Sequence, residues 1–245
     1  MQTNIKKMGN IKDKRVVLLQ SGGLDSCFLA SLFSYLGFDI HHVFVDYGQN
    51  SKEQEKKAVE AIVKEYGGTL HCVELKLPWL KDSTVLVEDQ EVKNADVPRQ
   101  FGAVKVGVYV PMRNHVLLSI AGSLAESLDI QYIASGIDGK QNIFGKPITG
   151  TPDKHPNFVK ALENSLSEGS VLKHINGKEF TILCPLVGVE KYDTIAYGTR
   201  FLNTKWELSW SCYNNSKEPC GTCGACVDRQ MCFDYLGLKD PAIQK

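Results

Sequence analysis

Neither sign of charge predominates in this 245-residue chain: 28 lysines and arginines stand against 28 aspartates and glutamates. A constitutive nucleic-acid binder shows a basic excess or stripe. None is visible, which argues against that class while leaving room for a local patch. No apolar run is long enough to span a membrane. Residues 1–14 are polar and lysine-rich without an apolar core, so they do not read as a secretory signal and are expected to form a flexible lead-in. The chain is therefore expected in the cytoplasm. There, eight cysteines point to metal rather than disulfides. The length suits one α/β domain with a small appendage and is ample for a buried core.

Two phosphate-binding signatures are also missing. No Lys-Ser or Lys-Thr follows Gly22-Gly23, as Walker A requires, and no third glycine follows at the dinucleotide-fingerprint spacing. What stands at residues 15–37 is an apolar β-branched run from Val16 to Leu19 and a turn of Ser21, Gly22 and Gly23. Leu24, Phe28, Leu29, Leu32 and Phe33 then follow at helical spacing. Strand, tight turn and helix N-terminus form an anion site. The glycines let the backbone approach a phosphate. The first helical amides have no internal partner and point at it, with the helix dipole behind them. Ser21 and Ser26 add hydroxyls. Asp25, an acid beside an anion site, is explained by a divalent cation shared with the phosphates. A Gly-Gly pair after a strand is often only a turn; the run Ser-Gly-Gly-x-Asp-Ser between strand and helix sets this one apart.

Further strands are expected over Ile40–Val45, Leu70–Leu75, Gln131–Ser135 and Phe180–Leu183, and helices over Ser51–Tyr66, Val116–Leu128, Asn157–Leu166 and Tyr192–Leu202. The opening β-α-β-α-β order implies a parallel sheet with right-handed crossovers. Ser51 with Gln54 fits a capping box. Ligands in such sheets sit at the carboxyl ends of strands, which nominates Asp46, Tyr47 and Gln49, and after the fourth strand Gly136, Asp138, Lys140, Pro152 and Asp153. Arg113 and Asn114 open a helix. An arginine there opposes the dipole, so a carboxylate or phosphate is expected to hold it; a structural ion pair is the alternative. Residues 76–110 carry charge clusters and no clear period. Cys27 reads as a small buried hydrophobe, Cys72, Cys184 and Cys232 as packing, and His41 and His42 as surface or half-buried residues.

Cys212, Cys220, Cys223 and Cys226 form Cys-x7-Cys-x2-Cys-x2-Cys, with Gly221 and Gly224 permitting the turns. Four thiolates describe a closed, tetrahedral, structural zinc site; an iron–sulfur cluster is the chemical rival.

The Ser21–Ser26 loop resembles that of the PP-loop ATPases, which cleave ATP between the α- and β-phosphates and adenylate a substrate oxygen. Phe-Val-Asp-Tyr-Gly-Gln at 44–49, Val-Pro-Met-Arg-Asn at 110–114, Pro152-Asp153 and the cysteine segment 211–226 narrow the resemblance to the 7-cyano-7-deazaguanine synthase (QueC) family, over nearly the whole chain. It implies a Rossmann-like parallel sheet of the adenine nucleotide alpha hydrolase kind, with helices on both faces. The PP-loop ATPase domain would span 15–205 and a small zinc lobe 206–245. It implies a homodimer, structural zinc on the four cysteines, and ATP with magnesium on the segment from Gln20 through Ala30, which includes Leu24. Asp25, Ser21 and Ser26 would be catalytic, and Arg113 and Asn114 would lie on the substrate side. The implied reaction takes 7-carboxy-7-deazaguanine, ammonia and ATP, by way of an amide, to the 7-nitrile of queuosine biosynthesis. One segment departs. Where the family has a compact Ser-Gly-Tyr-Pro-Asp-Cys-Arg run, this chain reads Thr149-Gly150-Thr151-Pro152-Asp153-Lys154-His155 within a 137–156 loop read as longer: Pro152 and Asp153 survive, and the Tyr, Cys and Arg are gone. QueC-like relatives in antiviral operons, which are thought to attach the deazaguanine to a partner protein, offer an alternative with a more open site. PP-loop tRNA thiolation is another; it calls for a reactive cysteine or an iron–sulfur cluster, and a basic surface.

Overall fold

The computed structural model describes residues 2–80, 86, 110–141, 147–149 and 152–243. The main sheet is built from β1 (Arg15–Leu19), β2 (Asp39–Asp46), β3 (Thr69–Glu74), β4 (Tyr132–Ala134) and, after the short hairpin of β5 (Lys140–Gln141) and β6 (Pro147–Thr149), β7 (Thr181–Leu183). The helices are α1 (Gln2–Gly9), α2 (Leu24–Tyr35), α3 (Lys52–Tyr66), α4 (Arg113–Ser127), α5 (Pro156–Glu168), α6 (Val171–Asn176), α7 (Lys191–Tyr197) and α8 (Gly224–Tyr235).

The sheet runs β3-β2-β1-β4-β7, parallel throughout. Successive side chains of a strand alternate between faces, and β1 shows the consequence. Val16 and Leu18 enter one core with Phe28, Leu32 and Phe33 of α2, Ile62 of α3 and Ile195 of α7. Val17 enters the other with Val43, Ile133 and Ile182 of the sheet, Leu118 and Ala121 of α4 and Leu162 of α5. Each large side chain so buried contributes about 1.5–3 kcal/mol. The expected Rossmann-like sheet with helices on both faces is what forms. β1 lies at its centre, with β2 and β3 on one side and β4 and β7 on the other. The chain thus reverses its direction of travel between β1 and β4, and the crevice above such a switch point is where ligands bind.

Several expectations need correction. Within the 1–14 lead-in, residues 2–9 form α1, with Ile5 and Met8 packed into the α2 core. The capping box is not made: the Ser51 hydroxyl donates to Glu55 Oε1 at 2.7 Å and caps no amide of α3. His42 is fully buried, not half-exposed, whereas Cys72 is exposed rather than packed. The helices α6 and α8 were not foreseen. Residues 206–245 carry the cysteine cluster near the C-terminus, and Trp206, Cys232 and Phe233 tie this segment to the core of α2. Most of the charge-rich 76–110 stretch lies outside the described residues, as do 142–146, 150 and 151 and the side chain of Lys140.

Candidate active site and metal centre

The loop between β1 and α2 is shaped by close contacts. Gly22 sits at φ +76, and a Cβ there would stand 2.8 Å from the Glu55 carbonyl oxygen of α3 and 3.1 Å from Ala58 Cβ. Only glycine fits on both counts. The Cys27 amide makes the first helical bond, to Gly23 O at 2.9 Å. The amides of Leu24, Asp25 and Ser26 are therefore the ones that the helix leaves without an internal partner. Ser21 Oγ lies 3.3 Å from Ser26 Oγ, and Ser26 Oγ donates to Gly23 O at 3.1 Å. Gln20 turns inward: its Oε1 accepts from Gly22 N at 3.4 Å, and its Nε2 faces His42 Nδ1 at 3.5 Å. His42 Nε2 in turn lies 3.0 Å from Gly67 O, so it carries the proton there and leaves Nδ1 as the acceptor. Burial pushes the His42 ring down to about 4, keeping it neutral.

A cavity of about 300 Å³ opens above this loop, at the carboxyl ends of β1, β2 and β4. Gly136 closes the switch point so tightly that a Cβ would stand 2.9 Å from Asp25 Cβ. Burial raises the Asp25 carboxyl, against the pull of Lys191. Arg113 reaches in from α4, with Nη1 3.3 Å from Tyr47 Oη. Tyr47 does most to raise the Arg113 pKa above its ordinary value, with Tyr213 and the Asp153 carboxylate adding to it, and the Tyr47 phenol is its hydrogen-bond partner among the described residues. Lys154 pairs with Asp138 at 2.7 Å, and Lys191 of α7 pairs with Asp228 of α8 at 2.7 Å. Burial works to raise Asp138, but Lys154 and Lys191 outweigh it and hold this carboxyl below the usual range.

Other nominated residues serve the scaffold. Asp46 Oδ1 accepts from Gly48 N at 2.9 Å, making the turn after β2. Gln49 accepts from Tyr47 N at 2.9 Å and donates to Glu55 Oε2 at 2.9 Å. Asp153 is buried and spans the start of α4: Oδ2 accepts from Asn114 N at 3.1 Å, and its carbonyl accepts from Asn114 Nδ2 at 3.2 Å. Asn114 lines the cavity; Pro152, Asp153 and Asp46 do not.

The four C-terminal cysteines converge, with every Sγ within 4.8 Å of the others and Cys220 Sγ 4.0 Å from Cys226 Sγ. Sulfurs about 2.3 Å from one zinc at tetrahedral corners stand about 3.8 Å apart. Amides point at the sulfurs, as thiolates require: Asn214 N and Cys220 N each at 3.4 Å from Cys212 Sγ, and Cys223 N at 3.3 Å from Cys220 Sγ. Cys212 and Cys226 hydrogen-bond to Cys223 and hold its thiol far below the ordinary range, while Cys226 rises; a cation at the centre takes the place of the shared protons. The donor set thus fits one closed, structural ion. This segment also walls the cavity. Trp210 N donates to Gly22 O at 2.8 Å, and Trp210, Ser211, Tyr213 and Ala225 face inward.

A family model described as "Queuosine biosynthesis protein QueC" matches residues 15–237. The chain belongs to the QueC family. It is 32% identical over 235 residues to the 7-cyano-7-deazaguanine synthase of Methanosphaerula palustris, covering 93% of this chain and 97% of that one. Against the enzyme of the same name from Thermoplasma volcanium it is 36% identical over 229 residues, covering 93% and 90%. The synthase of Methanosarcina barkeri is 35% identical over 246 residues, covering 94% and 98%. The chain is an enzyme of the QueC type, a ligase.

In this QueC-family chain a magnesium ion fits Asp25 only as a companion of ATP. Among the described residues the cysteine cluster is the one converging group of three or more His, Cys, Asp or Glu ligands. Magnesium at Asp25 would therefore take its other ligands from phosphates and water, as it commonly does. Glu55, Lys154, Lys191, Trp210 and Tyr213 line the site and were missed from the sequence. The strand-end rule that nominated Asp138 after β4 nominates Lys191 equally well after β7. Glu55 had no such signal, because it lies in the first turn of α3 and not at a strand end.

Proposed function

We propose that this ligase adenylates the carboxylate of 7-carboxy-7-deazaguanine with ATP and carries it with ammonia, by way of the amide, to 7-cyano-7-deazaguanine, releasing AMP and pyrophosphate. The relatives named for that product support the reading. The structural observation that carries it is the Gly22-Gly23 cradle at the switch point, opening into a cavity that Arg113 and Lys191 also line.

A carboxylate is a poor electrophile because its leaving group is oxide; adenylation replaces that with AMP. The α2 amides, with Ser21 and Ser26, receive the charge that gathers on the departing pyrophosphate. Magnesium, when bound at Asp25 with the nucleotide, supplies neutralising charge for the phosphates. Arg113, whose guanidinium among the described residues meets a neutral hydroxyl within hydrogen-bond distance, has donors to offer the substrate carboxylate or a phosphate. Zinc on Cys212, Cys220, Cys223 and Cys226 supports the wall formed by residues 210–213. The family resemblance supports a homodimer and a cytoplasmic setting; no helix among the described residues is long and apolar enough to cross a membrane.

A second reading, attachment of the deazaguanine to a partner protein, is favoured by the loss of the family's Tyr, Cys and Arg from the 149–155 segment. Sulfur transfer is disfavoured. Burial pushes the Cys27 thiol up to about 12, and among the described residues no cysteine lines the cavity. The test incubates the chain with ATP, magnesium, the deazaguanine acid and ammonia, with and without a candidate protein acceptor. AMP, pyrophosphate and the nitrile mass are expected with ammonia alone. A mass increment on the protein instead would move the assignment to the second reading, and no AMP in any mixture would end both.

A further inference from the structure

Three carboxyl groups among the described residues line the cavity, Asp25, Glu55 and Asp138, and the reading above employs only Asp25. Asp138 is committed to Lys154, and a carboxylate held by an ammonium is a weak base. Glu55 differs. Among the described residues its hydrogen-bond partners are neutral: Ser51 Oγ donates to Oε1 at 2.7 Å and Gln49 Nε2 donates to Oε2 at 2.9 Å. Each oxygen keeps a second lone-pair direction, and the group sits at the cavity wall beside the phosphate loop, its own carbonyl against Gly22.

The proposed reaction has a step that needs such a group. Turning an amide into a nitrile removes two N–H protons. Adenylation of the amide oxygen expels pyrophosphate and acidifies the nitrogen, whose first proton passes to water. The C–O bond then breaks with its electron pair leaving on AMP, while loss of the second N–H proton frees the pair that completes the carbon–nitrogen triple bond. We propose that Glu55 is the general base of this elimination, taking the second N–H proton and returning it to solvent. The assignment rests on the nitrile-forming reading.

The surroundings of Glu55 suit it to the role. Burial raises its carboxyl above the ordinary range, with Asp46 at the end of β2 adding to that, while hydrogen bonds from Gln49 and Ser51 and the Arg113 charge from α4 pull it down; Tyr47 is the other titratable neighbour. A base works best when its pKa lies close to the operating pH.

The test starts from the amide with ATP and follows nitrile, AMP and pyrophosphate from pH 5 to 9 in wild type, Glu55→Gln, Glu55→Asp and Ser51→Ala. For Glu55→Gln, nitrile formation falls about 100-fold or more, the range of general-base contributions, and the acid limb of its pH profile disappears. Amide formation from the acid and ammonia, which does not need the second N–H loss, falls by a smaller factor. Glu55→Asp restores part of the nitrile rate, and Ser51→Ala keeps the acid limb. Nitrile formation by Glu55→Gln at the wild-type rate overturns the assignment, and so does an equal loss in Ser51→Ala, which would make Glu55 a brace for its loop. If Glu55→Gln does not fold, as its urea unfolding curve would reveal, the shape of the Glu55→Asp profile decides: an acid limb unmoved from wild type overturns the assignment. A wild type that forms AMP and amide but no nitrile removes the reading beneath it.

Discussion

Replacing Gly22 with alanine probes the phosphate loop at its tightest point. The left-handed backbone at φ +76 disfavours a Cβ by about 1–2 kcal/mol. The added carbon would also lie 2.8 Å from Glu55 O, roughly 0.6 Å inside ordinary contact, against helix backbone that cannot swing aside. Overpacking of that kind costs about 1–3 kcal/mol, so the two together give about 2–5 kcal/mol. The neighbouring glycine provides the control. Gly23 has extended backbone at φ −75, and a Cβ there meets only Ser21 Oγ at 3.4 Å and Trp210 O at 3.7 Å. Gly23→Ala should therefore lose no more than about 1 kcal/mol, in line with alanine at a helix N-cap. Urea unfolding of the two variants beside wild type reads the difference, and the ATP KM for pyrophosphate release reads its consequence. Gly22→Ala should unfold at clearly lower urea and raise that KM more than Gly23→Ala does. Equal stability of the two variants would refute the packing argument, and unchanged KM values in both would refute the loop's phosphate role.

Other outcomes follow from the same geometry. Arg229 and Asp240 form a buried pair at 2.6 Å, with Arg229 also donating to Trp206 O and Ser209 O. Asp240→Ala strands that charge and should lose about 3–5 kcal/mol in urea, while Arg229→Met with Asp240→Leu should recover most of it; a loss below about 1 kcal/mol for the single variant contradicts the pairing. Cys223→Ser should abolish the single zinc expected by elemental analysis and weaken ATP binding through the Trp210 wall; undiminished ATP affinity without metal would uncouple them. His42 supplies an acid dependence. Its ring falls from the ordinary 6.5 to about 4 on burial, so the unfolded chain binds the extra proton. That contribution is complete above pH 6.5 and drains as pH falls toward 4, by roughly 1.4 kcal/mol for each pH unit crossed between those two values. Replacing His42 with Gln should flatten that part of the stability–pH curve, and an unchanged curve would show that His41, His71 or a carboxyl dominates.

What the sequence determined by itself is whatever short backbone geometry dictates. Seven residues from Gln20 to Ser26 make a strand-to-helix turn with free amides wherever they fold, and two-residue gaps between Cys220, Cys223 and Cys226 bring the sulfurs together with no help from the sheet. Alternating and helical apolar spacing likewise announced most of the strands and helices. The tertiary structure decided the rest, because a side chain's partner across the sheet depends on topology and not on spacing. Asp153 looked like a substrate contact until the fold set it beneath the first turn of α4. His42 looked half-exposed until the Gly67-Gly68 turn and Gln20 closed over it. Glu55, Arg113, Lys191 and Tyr213 come from four segments scattered between residues 52 and 213, and they share one cavity only because β1 lies at the centre of the sheet and brings the carboxyl ends of its neighbours to the same crevice.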